Sequence, residues 1–332
     1  MLTNLFRLTP LFFIIILTSS CVKESYHEDV GTIFHTNYRI KYKAPRSLAK
    51  EIEEELTLFD ASLNPFNKES IIAKINNNQE VEVDKWFAEV FNKAMEVSVN
   101  TGGAFDITCA PLINLWGFGF SKAEEATPEK IDSIKTFVGY QKARIKEGKV
   151  EKDDDRLMLN CSAIAKGYSC DVIANLLERY GVKNYMVEIG GEVKMKGHNP
   201  TGKCWRIGIN KPIEDVLGTV SEIQDIVSVC NGAVATSGNY RNFQVKDGKK
   251  YAHTINPHTG YPSQSDILSA TIIANDCMTA DAYATAFMVL GRAQAKKLAE
   301  KLTGEIEYYL IYVDNDRYAF DYSEGMAQYI QK

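Results

Sequence analysis

Residues 275–290 read Asn-Asp-Cys-Met-Thr-Ala-Asp-Ala-Tyr-Ala-Thr-Ala-Phe-Met-Val-Leu, and the rest of the chain is organised around this stretch. Its second half has the apolar spacing of a helix, which Gly291 would end. Asp281 and Thr285 lie four residues apart, so a helix projects both side chains from one face. Oxygen donors among small alanines suit a hard cation such as Mg²⁺ or Ca²⁺. The alternative is that Asp281 is a helix-start acid and that Thr285 bonds back to its own helix.

Length and composition indicate a globular protein with a large core. The chain has 332 residues, of which 45% are hydrophobic, and its 38 basic and 43 acidic side chains give a net charge of −5. This length allows two domains or one large two-lobed domain. No basic patch is long enough to suggest nucleic acid as a partner.

The N-terminus has the features of an export signal. Arg7 supplies a positive charge, Leu8 to Leu17 form an apolar run, and small residues precede Cys21. The run is too short for a comfortable permanent membrane span. Residues 1–21 resemble a bacterial lipoprotein signal, with an ordinary cleaved secretory signal as the alternative. We therefore expect a lipidated Cys21, a tether over 22–30, and a protein anchored at the periplasmic face of a bacterial cell membrane.

The six remaining cysteines are interpreted as packing residues. An even number in an oxidising compartment permits disulfides, but the connectivity cannot be deduced from sequence. No two form a Cys-x-x-Cys pair, which argues against a thiolate zinc site, and most have apolar or small neighbours. They are Cys109, Cys161, Cys170, Cys204, Cys230 and Cys277.

Predicted strands occur in neighbouring groups rather than in strict alternation with helices. This order favours an α+β fold over a doubly wound sheet. No internal repeat or long linker divides the chain, so residues 31–332 are predicted to form one functional unit. Helix starts are predicted at three capping residues, Ser47, Asp84 and Thr127. Helices are also predicted over Ser70 to Asn76 and over Ser162 to Tyr180, and one strand over Tyr185 to Gly197 with a bend at Gly190-Gly191.

Six further motifs follow one another along the chain. They are Ala-Phe-Asp (104–106), Pro-Leu-Ile-Asn-Leu-Trp-Gly-Phe-Gly (111–119), Ser-Ala-Ile-Ala-Lys-Gly-Tyr (162–168), Ala-Thr-Ser-Gly-Asn-Tyr-Arg (235–241), His-Thr-Ile-Asn-Pro-His-Thr-Gly (253–260) and Thr-Ala-Asp-Ala-Tyr-Ala-Thr-Ala (279–286). In this order and at these separations they resemble the ApbE family, the FAD:protein FMN transferases. The resemblance runs from about Gly31 to the C-terminus. It implies two intimately packed α+β lobes, with mixed or antiparallel sheets and the FAD site between them.

The resemblance also implies a reaction. Such enzymes cleave the pyrophosphate of FAD with Mg²⁺, pass FMN to a threonine hydroxyl of another protein as a phosphoester, and release AMP. Phosphoryl transfer needs mainly positioning and charge neutralisation, which a metal supplies. Asp281, Thr285 and the backbone carbonyl of Ala163 match the family's metal ligands. Mg²⁺ is the expected ion, with Ca²⁺ or Mn²⁺ as alternatives.

Further positions match the family's contacts with FAD as substrate. Lys166, close to a helix start, suits a phosphate, and Asn160 stands where many relatives carry Asp. Phe66 aligns with an aromatic, commonly Tyr, that stacks on the flavin, and Phe34 aligns with a Met. Ordinary core aromatics are the alternative for both. The remaining matches are Ala104, Phe105, Asp106 and Ile255; for Asp106 the alternative is a buried loop cap.

His253 and Asp281 are the candidate bases for the acceptor's proton. For His253 the alternatives are stabilisation of the leaving phosphate and a purely structural role. The implied acceptor is a flavoprotein with an Asp-x-x-Thr-Gly-like motif, such as a flavin subunit of a redox pump. Two other functions remain open. One is a metal-dependent FAD pyrophosphatase that yields FMN and AMP, and the other is a non-catalytic flavin-binding lipoprotein.

Overall fold

The computed structural model describes residues 24–122, 124–212, 222–239, 243–246, 249–315 and 317–331. The predicted signal segment, including Cys21, lies outside the described residues. Within the described ranges, no helix combines the length and apolar character needed to cross a membrane.

An eight-stranded antiparallel sheet forms the centre of the protein. Its strands, in spatial order, are β1 (Ser25–Ile33), β2 (Thr36–Ala44), β5 (Tyr185–Ile189), β6 (Glu192–Lys196), β9 (Asn231–Gly238), β12 (Ile267–Ala274), β13 (Ile306–Asp314) and β14 (Arg317–Tyr322). The predicted α+β class is confirmed.

Three two-stranded antiparallel ribbons accompany the sheet. They pair β3 (Ala143–Lys146) with β4 (Lys149–Lys152), β7 (Trp205–Asn210) with β8 (Ile223–Val229), and β10 (Phe243–Lys246) with β11 (Lys249–Ala252). Every ladder between these named strands is antiparallel. Of the two predicted alternatives, mixed or antiparallel sheets, the described residues therefore show the antiparallel one.

Eight α-helices lie in the described ranges: α1 (Ala49–Leu63), α2 (Ile71–Asn76), α3 (Lys85–Asn100), α4 (Ala110–Leu115), α5 (Pro128–Lys135), α6 (Ala165–Arg179), α7 (Cys277–Leu290) and α8 (Arg292–Lys301). Short 3₁₀ turns occupy Tyr140–Lys142 and Glu324–Gln328. The predicted caps Asp84 and Thr127 each accept a backbone N–H bond at the start of their helix and are confirmed, and Ser70 does the same for α2. The predicted cap Ser47 was wrong, because Leu48 is the N-cap of α1 and forms no side-chain cap bond.

Helix α7 is the central helix, packed against β9, β12 and α6. Tyr283 and Phe287 anchor it in the core, with 1% and 0% of their surface exposed. Gly291 ends it with φ of 74°, a left-handed value that glycine adopts without strain. The predicted helix and its end are therefore confirmed.

Two predictions were wrong in detail at the ends of elements. Strand β1 begins at Ser25, so most of the predicted 22–30 tether belongs to the sheet. Polar and charged side chains dominate this edge strand and hide its pattern from sequence inspection. Helix α6 begins at Ala165 rather than Ser162, because residues 162–164 form a turn before it.

The cysteine interpretation was wrong for one pair. Cys204 and Cys230 form a disulfide, because Trp205 pairs with Val229 across the β7–β8 ribbon and brings the flanking cysteines together. Sequence alone does not give that register. The other four cysteines of the described chain are buried and unbridged, as packing residues should be.

Candidate active site

A cavity of about 510 Å³ opens where the starts of α6 and β6 meet α7. Its lining also includes the 104–109 loop, parts of β7 and β9, and the segment from His253 to Pro257. Most of the predicted site residues meet here. They are Ala104, Phe105, Asp106, Asn160, Ala163, Lys166, His253, Ile255, Asp281 and Thr285.

Asp171 of α6 fixes the first turn of α7. Its carboxylate accepts backbone N–H bonds from Cys277 at 2.9 Å and from Met278 at 2.8 Å. Asp276 adds a cap by accepting the N–H of Thr279 at 2.7 Å. Carboxylates at a helix N-terminus satisfy unpaired donors and complement the helix dipole. The start of α7 is therefore fixed against α6 by hydrogen bonds within the protein.

Gly167 allows α6 and α7 to cross at close range. A Cβ built at this position would lie 2.3 Å from the carbonyl oxygen of Cys277 and 2.7 Å from Cβ of Asp281. The backbone N–H of Gly167 instead donates to Oδ2 of Asp281 at 3.0 Å. Asp281 is thereby oriented by the neighbouring helix as well as by its own.

Three charged groups, Lys166, Glu192 and Asp281, meet on the wall of the cavity that α6, β6 and α7 form. Nζ of Lys166 donates to Oε1 of Glu192 at 2.5 Å, and Asp281 also acts on the lysine through its charge. Burial lowers the pKa of Lys166, but the two carboxylates outweigh it and hold the pKa above its ordinary value. Burial raises the pKa of Asp281, partly offset by the Lys166 ammonium and the Gly167 N–H. The wall therefore presents a firmly charged lysine between two acids.

The donor set of α7 fits a hard divalent cation. Asp281 is 5% exposed and lines the cavity together with Thr285 and Ala163. Among the described residues, no cluster of three or more His, Cys, Asp or Glu side chains could hold a metal. One carboxylate, one hydroxyl and one backbone carbonyl do not form such a cluster, yet oxygen donors of this kind are what Mg²⁺ and Ca²⁺ prefer. The residues present therefore fit the predicted ion.

Asp106 is held by its own loop. Its Oδ1 accepts the N–H and the hydroxyl of Thr108, both at 2.7 Å, and its Oδ2 accepts the N–H of Tyr140 at 2.9 Å. Burial raises the pKa of Asp106, and these hydrogen bonds oppose the rise. The loop-cap alternative thus describes its carboxylate, while the residue also lines the cavity.

Asn160, Ile255 and His253 complete the predicted lining. Oδ1 of Asn160 accepts the N–H of Ser162 at 2.8 Å, which shapes the turn that leads into α6. Ile255 is 5% exposed and forms an isolated antiparallel bridge with Pro262. The ring of His253 stands edge-on to Phe118, with centroids 6.5 Å apart. Each is therefore placed by a local contact within the protein.

A sequence model of the ApbE family matches residues 31–310. The chain belongs to the ApbE family. It is 36% identical over 299 residues to the FAD:protein FMN transferase of Vibrio cholerae serotype O1, covering 86% of this chain and 88% of the relative. With the FAD:protein FMN transferase of Escherichia coli K12 it is 32% identical over 271 residues, covering 79% and 76% of the two chains.

Solved ApbE structures share the fold. The flavin transferase ApbE from Vibrio cholerae superposes with a TM-score of 0.83 at 32% identity, over 92% of this chain and 99% of that one. The ApbE protein from Thermotoga maritima gives 0.82 at 28% identity, over 93% and 100%. The family resemblance predicted from six motifs is confirmed.

Two aromatic positions carried over from the ApbE family do not line the cavity. Phe34 packs edge-on against Phe59, with centroids 5.6 Å apart, and belongs to the margin of the core. Phe66 is 54% exposed and touches His35 and Phe120 edge-on. Their predicted contact with flavin stays a prediction.

Glu192 is the charged lining residue of this ApbE chain to which sequence reasoning gave no role. The sequence signal was the preceding Gly190-Gly191 pair. The prediction of one bent strand there was wrong, because the pair forms the turn between two antiparallel strands, β5 and β6. Both glycines have left-handed φ values, 68° and 103°, and they turn the chain so that Glu192 begins β6 at the cavity. A glycine pair before an acid was therefore a usable signal.

Proposed function

We propose that this chain is an FAD:protein FMN transferase that moves the FMN half of FAD to a threonine hydroxyl of an acceptor protein. AMP is the second product, and Mg²⁺ is the assisting ion. Family membership and the names of the relatives support flavin transfer. The observation that carries the chemistry is the meeting of Asp281, Thr285 and Lys166 on one wall of a cavity of about 510 Å³.

Asp281, Thr285 and the carbonyl of Ala163 are the residues that would hold the metal. When bound there, the ion would neutralise charge on the pyrophosphate of FAD. The protein prepares for it with Asp281, whose Oδ2 is fixed by the N–H of Gly167.

The side chains of the protein supply positioning and proton transfer. Lys166, the second residue of α6, would bind a phosphate oxygen through its ammonium, and the positive end of the α6 dipole would add to the attraction. The threonine hydroxyl attacks the phosphorus of the FMN half, the new P–O bond forms, and the pyrophosphate bond to AMP breaks. The proton of the hydroxyl passes to His253 or to Asp281.

The test is mass spectrometry of an acceptor protein with an Asp-x-x-Thr-Gly-like motif, incubated with residues 22–332, FAD and Mg²⁺. We expect covalent FMN on the acceptor, and we expect Asp281→Ala to slow transfer by at least about a hundredfold, the loss typical of removing a transition-state electrostatic contact. Asp132→Ala, an exposed carboxylate of α5 outside the cavity, is the matched control.

The outcomes separate the three candidate functions. An unmodified acceptor with AMP still released would replace the transferase by the pyrophosphatase. Tight FAD binding without either product would leave the non-catalytic flavin-binding lipoprotein. Equal rates for the Asp281→Ala and Asp132→Ala proteins would remove Asp281 from the site.

We also propose, from the N-terminal sequence, that Cys21 carries lipid and anchors the enzyme at the periplasmic face of the membrane. The acceptor would then be an exposed flavoprotein such as a redox-pump subunit. Expression of the full chain with a radiolabelled fatty acid should label the wild type and leave Cys21→Ser unlabelled. Equal labelling of the two proteins, or of neither, would contradict the anchor.

A further inference from the structure

Glu192 is a buried acid at the cavity that the proposed reaction does not use. Its side chain is 5% exposed, although it lines a cavity that must admit charged ligands. Burial raises the pKa of its carboxyl, the Lys166 ammonium opposes the rise, and Asp281 adds to it. A buried charge of this kind needs a partner, and Lys166 provides one.

The two oxygens of Glu192 have different surroundings. Oε1 accepts from Nζ of Lys166 at 2.5 Å. Oε2 is buried and has no hydrogen-bond partner among the described residues, a state it shares there with the hydroxyl of Ser269. Native proteins leave few buried polar atoms unpaired, and such an atom calls for an explanation in function or in a bound molecule.

Gly190 keeps space open around this ion pair. A Cβ at Gly190 would lie 3.1 Å from Cδ of Lys166 and 3.3 Å from Oε2 of Glu192, and its φ of 68° disfavours other residues. The turn before β6 is therefore shaped to hold both side chains against the cavity.

Stability alone is a weak reason for this ion pair, because desolvation of the buried Glu192 carboxylate offsets much of its attraction to Lys166, whose side chain is 32% exposed. A fixed ammonium is valuable at a site that binds phosphate, since an oriented charge needs no reorganisation during the reaction. Lys166 has three donors, of which Glu192 takes one, so donors remain for a ligand.

We propose that Glu192 is a positioning residue of the flavin-transfer site, which holds the Lys166 ammonium against the cavity in the orientation that meets a phosphate group of FAD. This inference rests on the proposed function. Oε2 is then the acceptor that stays unfilled until the site is loaded. An ionised phosphate has no proton to donate to Oε2. The donor that fills Oε2 must therefore be an O–H or N–H group of the bound reactants, or a water that enters with them.

The test is a double-mutant cycle with Glu192→Gln and Lys166→Met in residues 22–332. Transfer rates at saturating FAD give kcat, and quenching of flavin fluorescence gives the Kd for FAD. We expect Glu192→Gln to lower kcat by about tenfold or more, as misplacement of a positioned group does, while the Kd changes less than about threefold. In the Lys166→Met background the same change should cost less than about twofold, because the group it positions is gone.

Two further variants keep the result interpretable. Glu192→Asp replaces Glu192→Gln in the test if Glu192→Gln folds poorly. It keeps the charge on a shorter side chain, so its kcat should lie between those of the wild type and Glu192→Gln. Glu188→Gln, on β5 and outside the cavity lining, is the control for loss of an acid in the same hairpin. Thermal unfolding of each protein measures the structural cost separately.

Three outcomes would overturn the role of Glu192. The first is a wild-type kcat in Glu192→Gln, and the second is full additivity of Glu192→Gln with Lys166→Met. The third is a loss of kcat that comes with a large loss of FAD affinity and of thermal stability. If the wild type binds FAD but never modifies an acceptor, the proposed function fails and the inference fails with it. Transfer by the wild type with an additive cycle would reject Glu192 alone.

Discussion

Two groups of predicted site residues are held in the protein in different ways. The α6–α7 wall carries Lys166, Asp281 and Thr285 beside Gly167, and the aromatic edge consists of Phe34 and Phe66. The wall is fixed by backbone contacts, including the Gly167 N–H on Asp281 and the capping of α7 by Asp171. The edge consists of a side chain on the core margin and an exposed ring. A functional side chain where two helices cross has little conformational freedom, because the backbones of both helices fix it. The position of a side chain on a loop depends instead on its side-chain contacts.

Gly167→Ala should have a larger effect than a change at either aromatic residue of the edge, because the added Cβ would push α6 and α7 apart where their backbones cross. Alanine usually stabilises a helix relative to glycine by up to about 1 kcal/mol. Here the new Cβ would meet the Cys277 carbonyl at 2.3 Å, and overpacking of this kind costs about 1–3 kcal/mol. We expect a lower free energy of unfolding in a urea titration and a transfer rate reduced about tenfold or more, because Asp281 is displaced.

Asn175→Ala is the control for Gly167→Ala. It adds alanine on an exposed face of the same helix and should be neutral or slightly stabilising. If Gly167→Ala proved as stable and active as this control, the two helices would not need their close crossing.

The wall was predictable because its information is local in the sequence. Spacing places Asp281 and Thr285 on one face of α7, and the Lys166-Gly167 pair marks the start of α6. The role of Glu192 was missed because the packing of α6 against β6, and not a sequence period, brings it to Lys166. The Cys204–Cys230 disulfide was missed for a similar reason, since it depends on the β7–β8 register.

The tether was mispredicted because an edge strand with polar side chains carries little hydrophobic signal. Strand β1 is held by main-chain pairing with β2 over its whole length, from Ser25 opposite Ala44 to Ile33 opposite Thr36. Main-chain bonds of this kind are nearly independent of side-chain type. Strand formation by Ser25–Ile33 thus depends on its pairing with β2, which its own residue types do not indicate.

Phe34→Ala tests the aromatic edge at the turn between β1 and β2. Phe34 and His35 both have left-handed φ values, 52° and 58°, as a two-residue hairpin turn requires, although bulky residues rarely adopt them. Packing against Phe59 offsets that strain. Removing the half-buried ring should lower the free energy of unfolding by about 1–2 kcal/mol, with FAD affinity changed less than about threefold.

Fluorescence titration and urea unfolding of the same Phe34→Ala sample separate the two roles. His35→Ala, at the exposed neighbouring position of the turn, is the control for the backbone strain. A large loss of FAD affinity without loss of stability would place Phe34 at the flavin site, as the family resemblance implies.

Phe66→Ala should have the smallest effect and should act on binding alone. The ring is 54% exposed, so its removal should leave the unfolding midpoint unchanged. Stacking on a flavin would be worth about 0.5–1.5 kcal/mol, which corresponds to a two- to tenfold weaker Kd for FAD. Phe66→Tyr, the residue common in the family, should keep the wild-type Kd, and Phe320→Ala removes a ring of similar exposure, 51%, on β14. Equal FAD affinity in the Phe66→Ala and Phe320→Ala proteins would make Phe66 a surface residue, and the flavin would then be bound entirely by the residues that line the cavity.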